Sequence, residues 1–145
     1  MPIGWDGRPR QLIELASIST LEHWLPDGQI LTEDRFGDVP ADLLERWLEQ
    51  ASASAAHAIA ASSAVLDLGA VVIDGWMPPD LRADLVARSA SAVHGFDFSV
   101  MSQPRIVEGT LGRAARTVGA VAIPFGAHFL VDQADLVAAR SGTDD

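Results

Sequence analysis

Asp74-Gly75 closes a run of four small or β-branched residues, Ala70-Val71-Val72-Ile73, and Gly109-Thr110-Leu111-Gly112 closes a second apolar run, Arg105 to Glu108. A carboxylate at a strand end can accept a bond from a ribose or sugar hydroxyl, because open α/β sheets bind ligands outside the carboxyl ends of their strands. It can equally cap its own turn, since Asp side chains bond nearby backbone amides. The glycine-bounded turn from Gly109 to Gly112, placed ahead of a helical pattern, could present backbone N–H groups to an anion such as phosphate. Glycine also serves such a turn for steric reasons alone.

Other chemistries find no local support. The four histidines, His23, His57, His94 and His128, form no H-x-x-x-H or H-E-x-x-H pair, so no metal-ligand spacing exists, and each reads as a helix-surface or helix-end residue. No G-x-G-x-x-G, G-x-x-x-x-G-K-[ST] or G-x-S-x-G run occurs, which removes the dinucleotide fingerprint, the P-loop and the hydrolase elbow.

The elements that must position these residues follow from periodicity. Leu12, Leu15, Ile18, Leu21 and Leu25 recur every three or four residues and predict one helical face, with Ser17 or Ser19 able to cap a helix start and Pro26-Asp27-Gly28 ending it. Gln29 to Val39 reads as a polar surface loop. Pro40 opens a long helix over about Ala41 to Val65, with Asp42 and Glu45 near its positive end. The Ala- and Ser-rich stretch Ala51 to Ala64 also fits a low-complexity linker, but alanine is the best helix former and its small side chain permits close packing.

Ala70 to Ile73 then reads as a strand covered on both faces, as in a parallel sheet flanked by helices. Pro78-Pro79-Asp80 starts a helix carrying Leu81, Leu85, Ser89 and Ala92 on one face, with Arg88 and His94 near its negative end and Gly95 beyond. Phe96, Phe98 and Val100 alternate as in a short edge strand, and Arg105 to Glu108 is a second strand. A closing helix spans about Leu111 to Leu130, kinked or split by Pro124. Ser141 to Asp145 is a frayed acidic tail.

Composition bounds the remaining classes. At 145 residues and 48 % hydrophobic content the chain is expected to form one domain, a single partial lobe over residues 1–145. A domain of this size buries roughly 68 to 70 % of the surface its unfolded chain exposes. A net charge of −10 with 10 basic residues argues against a phosphate-backbone binder, so no nucleic-acid partner is expected for this segment. Lack of cysteine excludes disulfides, thiolate catalysis and cysteine zinc sites, and fits a reducing cytoplasm. No basic leader precedes an apolar run and no window of about 18 apolar residues spans a membrane, so a cytoplasmic protein with no membrane partner is expected.

Two blocks carry a resemblance. Leu66-Asp67-Leu68-Gly69-Ala70-Val71-Val72-Ile73-Asp74-Gly75-Trp76 follows a long helix, and Leu111-Gly112-Arg113-Ala114-Ala115-Arg116-Thr117-Val118-Gly119-Ala120 follows a short strand. Order and spacing resemble the carboxyl-terminal half of the ROK family of repressors, open reading frames and kinases, with its Leu-Asp-Pro-x-x-Ile-Val-Ile-Gly-Gly-Gly strand and Leu-Gly-x-x-Ala-x-x-x-Gly-Ala helix. A weaker third block, Met1-Pro2-Ile3 through Gly7-Arg8-Pro9-Arg10-Gln11-Leu12-Ile13-Glu14-Leu15-Ala16-Ser17, is similar to the segment after that family's Gly-His.

The resemblance implies the carboxyl-terminal lobe of an actin-like, hexokinase-like (ribonuclease H-like) α/β fold, an incomplete sheet flanked by helices. It further implies a site for ATP with Mg and for a sugar between two lobes. The family's phosphate loop, catalytic aspartate and Gly-Thr-Gly turn would precede Met1, so no catalytic residue is carried over and the chain alone is expected not to transfer phosphate. Arg10 and Gln11 stand where zinc-binding cysteines would be, so no zinc is expected. Asp74, Gly75, Gly109 and Gly112 would form a nucleotide edge in which Asp74 replaces a glycine and opposes phosphate. A one-residue shift would bring Glu14, in place of Ile13, to the family's sugar-contacting glutamate. Two further readings stand beside the kinase lobe: the sugar-sensing, dimerising lobe of a ROK repressor, and an association module unrelated to sugars. The lost flanking strands would leave apolar edges, which predicts self-association.

Overall fold

The computed structural model describes residues 10–26, 30–99 and 102–114. Contacts divide the chain into two units, one ending at Gly112 and the other beginning at Arg113. Of the second unit only Arg113 and Ala114 are described, as the end of a 3-10 turn, Gly112–Ala114.

The first unit begins with two short helices, α1 (Leu12–Ala16) and α2 (Ile18–Trp24), where the apolar stripe predicts one. The break lies at Ser17, which is extended and whose Oγ accepts the Thr20 N–H at 3.3 Å. Serine offers the backbone this alternative to a continuous helix. The carbonyls released by the break find donors on the next helix. The Trp47 indole N–H donates to Ser17 O at 3.0 Å, and Gln50 Nε2 donates to Leu15 O at 2.9 Å.

That next helix, α3 (Ala41–Leu66), is the long one, 26 residues and about 39 Å at 1.5 Å rise per residue. The Ala-Ser half is helical throughout, which decides against the linker. Asp67 ends it in the left-handed region, φ 47°, with its N–H on Ser63 O at 3.0 Å.

The expected surface loop before α3 is different in the structure. Glu33–Asp38 forms a 3-10 helix, and Leu31, Phe36 and Val39 are buried in the main core with Leu21, Trp47, Leu48, Ala51, Met77, Leu81 and Leu85. Three apolar residues at spacings of five and three match neither strand nor α-helix, yet a 3-10 helix that holds Phe36, with Leu31 before it and Val39 after it, buries all three.

After α3 come β1 (Ala70–Ile73), α4 (Pro79–Val93) and β2 (Arg105–Glu108), a parallel pair joined by a helical crossover. The register sets Val71 against Ile106 and Ile73 against Glu108. Fold class is therefore mixed α/β with a small two-stranded parallel sheet.

Burial on both faces of β1 is not observed. Val71, Ile73 and Ile106 pack on a second cluster, Ala56, Ile59 and Val93 from α3 and α4, whereas Val72 is 61 % and Val107 37 % exposed. Alternation follows because, among the described residues, helices lie on one face of the sheet only.

The edge strand expected at Phe96 to Val100 is also absent over its described part. Residues 96–99 carry no strand, with Phe96 and Phe98 half-buried on the second cluster and the Phe96 ring edge-on to His57 at 5.6 Å. Val100, the rest of the closing helix and the tail 141–145 lie outside the described residues. No helix among the described residues is long and apolar enough to cross a membrane.

Candidate functional site

The carboxyl ends of β1 and β2 lie side by side because the strands are parallel and in register, so Asp74 and Gly109 each follow one member of the last pair, Ile73 and Glu108. The Gly109 N–H continues the ladder to Ile73 O at 2.8 Å. A Cβ built on Gly109 would overlap Cβ, Cγ and Oδ2 of Asp74. Glycine is required here by the close approach of a side chain, not by backbone conformation.

The Asp74 carboxylate binds the turn after β2. Oδ1 accepts from the Gly75 N–H at 2.8 Å and Oδ2 from the Leu111 N–H at 2.9 Å. The Gly112 N–H bridges both oxygens at 3.1 and 3.2 Å. Gly112 has φ 49°, the left-handed conformation that brings its amide round beside that of Leu111.

From α4, Arg82 Nη1 lies 3.7 Å from Asp74 Oδ1 and 3.5 Å from the Gly75 carbonyl oxygen, to which it donates, while its Nε donates to Glu108 Oε1 at 2.8 Å. The Arg82 side chain is only 13 % exposed and that of Asp74 17 %. Desolvation pushes the Asp74 pKa up. The amides of Gly75, Leu111 and Gly112 together with the Arg82 charge outweigh it and hold the carboxyl below its ordinary value.

The fold thus brings Asp74, Gly75, Gly109 and Gly112, drawn from two sequence blocks, to one edge. Asp74 caps its own edge there: the N–H groups that an external anion would use already bond its carboxylate. Glu14 lies elsewhere. Its carboxylate accepts the Gln11 N–H at 2.8 Å at the start of α1, and it borders a shallow depression of about 440 Å³ with Ser17, Ser19, Thr20 and His23. None of the Asp74 group borders that depression.

Sequence reasoning passed over Arg82 and Glu108. Arg82 carried a signal, being a cation in the first turn of a helix, where the dipole disfavours it unless an acid lies opposite. Two of the described histidines bond carbonyls of their own helices, and His57 meets the Phe96 ring. His23 and His94 place Nδ1 2.6 and 2.7 Å from the carbonyls of Ser19 and Ala90. Among the described residues no group of three His, Cys, Asp or Glu could hold a metal ion.

Compared with protein-family models, curated proteins and solved structures, the chain matches none. Fold and site therefore define a mixed α/β unit with a self-capped strand edge, and any narrower placement rests on the sequence resemblance.

Proposed function

We propose that this chain is the carboxyl-terminal lobe of a ROK-type, ATP-dependent sugar kinase, with the actin-like topology that the resemblance implies, working in the cytoplasm and without phosphoryl-transfer activity by itself. The observation that supports it is the meeting of both motif blocks at one place: Asp74-Gly75 after β1 and Gly109 to Gly112 after β2, beside each other at the carboxyl ends of a parallel pair. Strand ends are where α/β proteins hold ligands. Nowhere in the 145 residues is there an Asp-x-Gly-x-Thr run to cradle phosphates, and phosphoryl transfer requires phosphates, metal and base to be positioned together.

With Asp74 seated on the amides, nucleotide affinity is lost or weakened, and the retained ligand is a small sugar, with Glu14 as the candidate contact. A second reading, the sugar-sensing and dimerising lobe of a ROK repressor, is favoured by the exposed apolar sheet face at Val72 and Val107.

Calorimetry of the chain with glucose and N-acetylhexosamines, and separately with Mg-ATP, tests the proposal. Heat with a sugar and none with Mg-ATP is the expected result. Silence with every sugar overturns it. Sedimentation at tens of micromolar tests the second reading, which a strict monomer would exclude.

A further inference from the structure

Two segments far apart in sequence turn three N–H groups to one point, and α4 adds a guanidinium. Gly75 comes from the end of β1, Leu111 and Gly112 from beyond β2, and Arg82 from the crossover. Gly109 lacks the side chain that would fill the space. Among the described hydrogen bonds the Leu111 and Gly112 N–H groups have no acceptor but Asp74.

Converging amides beside a half-sequestered cation make an oxyanion receptor, since each donor is strongest toward a charged acceptor with two or more lone-pair oxygens. Here a carboxylate of the chain itself is the anion. Tethered one residue beyond β1, it competes as an intramolecular ligand, whose effective concentration far exceeds that of millimolar solutes.

We infer that the carboxyl ends of β1 and β2 form an oxyanion cradle supplied with its own occupant, Asp74. The native chain thereby excludes phosphate-bearing ligands from this edge, and vacating Asp74 admits a small oxyanion of the inorganic phosphate class. The cradle does not depend on the sugar-kinase reading: sugar binding can fail while the cradle stands, and the reverse. Glu108 contributes by holding Arg82 Nε, which leaves Nη1 facing the occupant.

Four forms of the full chain test it: wild type, Asp74→Asn, Asp74→Ala and Asp74→Ala with Arg82→Gln. Each is melted in sodium phosphate and in sodium chloride of equal ionic strength. In Asp74→Ala, phosphate should raise Tm saturably by about 3 to 8 °C over chloride, the shift expected of a weak ligand at many times its Kd in a domain of this size. Wild type and Asp74→Asn, in which the space stays filled, should shift by less than about 1 °C on the same scale. A folded Asp74→Ala without a phosphate-specific rise, or a wild type that rises as much, overturns the inference. If Asp74→Ala is unfolded in chloride, the readout is recovery of far-ultraviolet circular dichroism on phosphate titration, and no recovery overturns it equally. The double variant should lose most of the rise, and a full rise there would remove Arg82 from the cradle.

Discussion

Asp74 depends on pH in a direction set by its partners. Its carboxyl is held below the ordinary value in the folded chain, so its contribution to stability is complete above about pH 4, the unfolded value, and is lost as pH falls through the lower folded one. Asp74→Asn should therefore lower Tm near neutrality and flatten the acid limb of a Tm-against-pH curve below about pH 4. A limb as steep as wild type would mean that other carboxylates carry it, among them Asp97, which its bonds to Ser99 also lower.

Gly109→Ala should destabilise by about 1–3 kcal/mol through overlap with Asp74. The loss should shrink in an Asp74→Gly background, and strict additivity in denaturant titrations would show that the two positions do not meet. The location of these residues could be read from the chain, because an apolar run ending in Asp-Gly or Glu-Gly marks a strand end. Their bonding could not, because it depends on a register between segments 35 residues apart, Ala70 with Arg105.

At the scale of elements, what could be read depended on whether a pattern was local. The helices α3 and α4 and the strand Arg105–Glu108 lie where propensity, proline and glycine put them. The α1–α2 break was hidden, since the apolar stripe runs through it and the deciding partner, Trp47, lies 30 residues away. Trp47 is fully buried. Trp47→Phe keeps most of the packing but leaves the Ser17 carbonyl without its donor, so it should destabilise by about 1–3 kcal/mol in urea titrations. The buried hydroxyls of Ser54 and Ser63 on α3 have no hydrogen-bond partner among the described residues. Replacing both by Ala should stabilise by about 1 kcal/mol, from better helix propensity and two fewer desolvated hydroxyls. An unchanged or lower midpoint would mean that these hydroxyls are paired in solution.

For the whole molecule, α/β class could be read from one strand, one crossover helix and a second strand. Coverage of the sheet could not. A run of β-branched residues fits burial on one face or on two, and the number of layers is a property of what packs against it. Val72, 61 % exposed, offers a direct handle on the association reading. Val72→Lys should leave stability within about 0.5 kcal/mol and abolish any dimer seen by sedimentation. A dimer that persists would place the contact elsewhere.

The clasp between Asp74 and Leu111 joins residues 37 apart across the crossover helix α4, and that crossover orders events in time. The α1–α3 contacts of Trp47 with Ser17 and Gln50 with Leu15 span 30 and 35 residues, so loop closure costs them about as much. The parallel pair is later because it must also wait for the crossover helix α4 to form and bring β2 back beside β1. The clasp should thus form after the rate-limiting barrier. Weakening it would then speed unfolding and leave refolding unchanged, so the strand ends act as the latch that sets the lifetime of the native state.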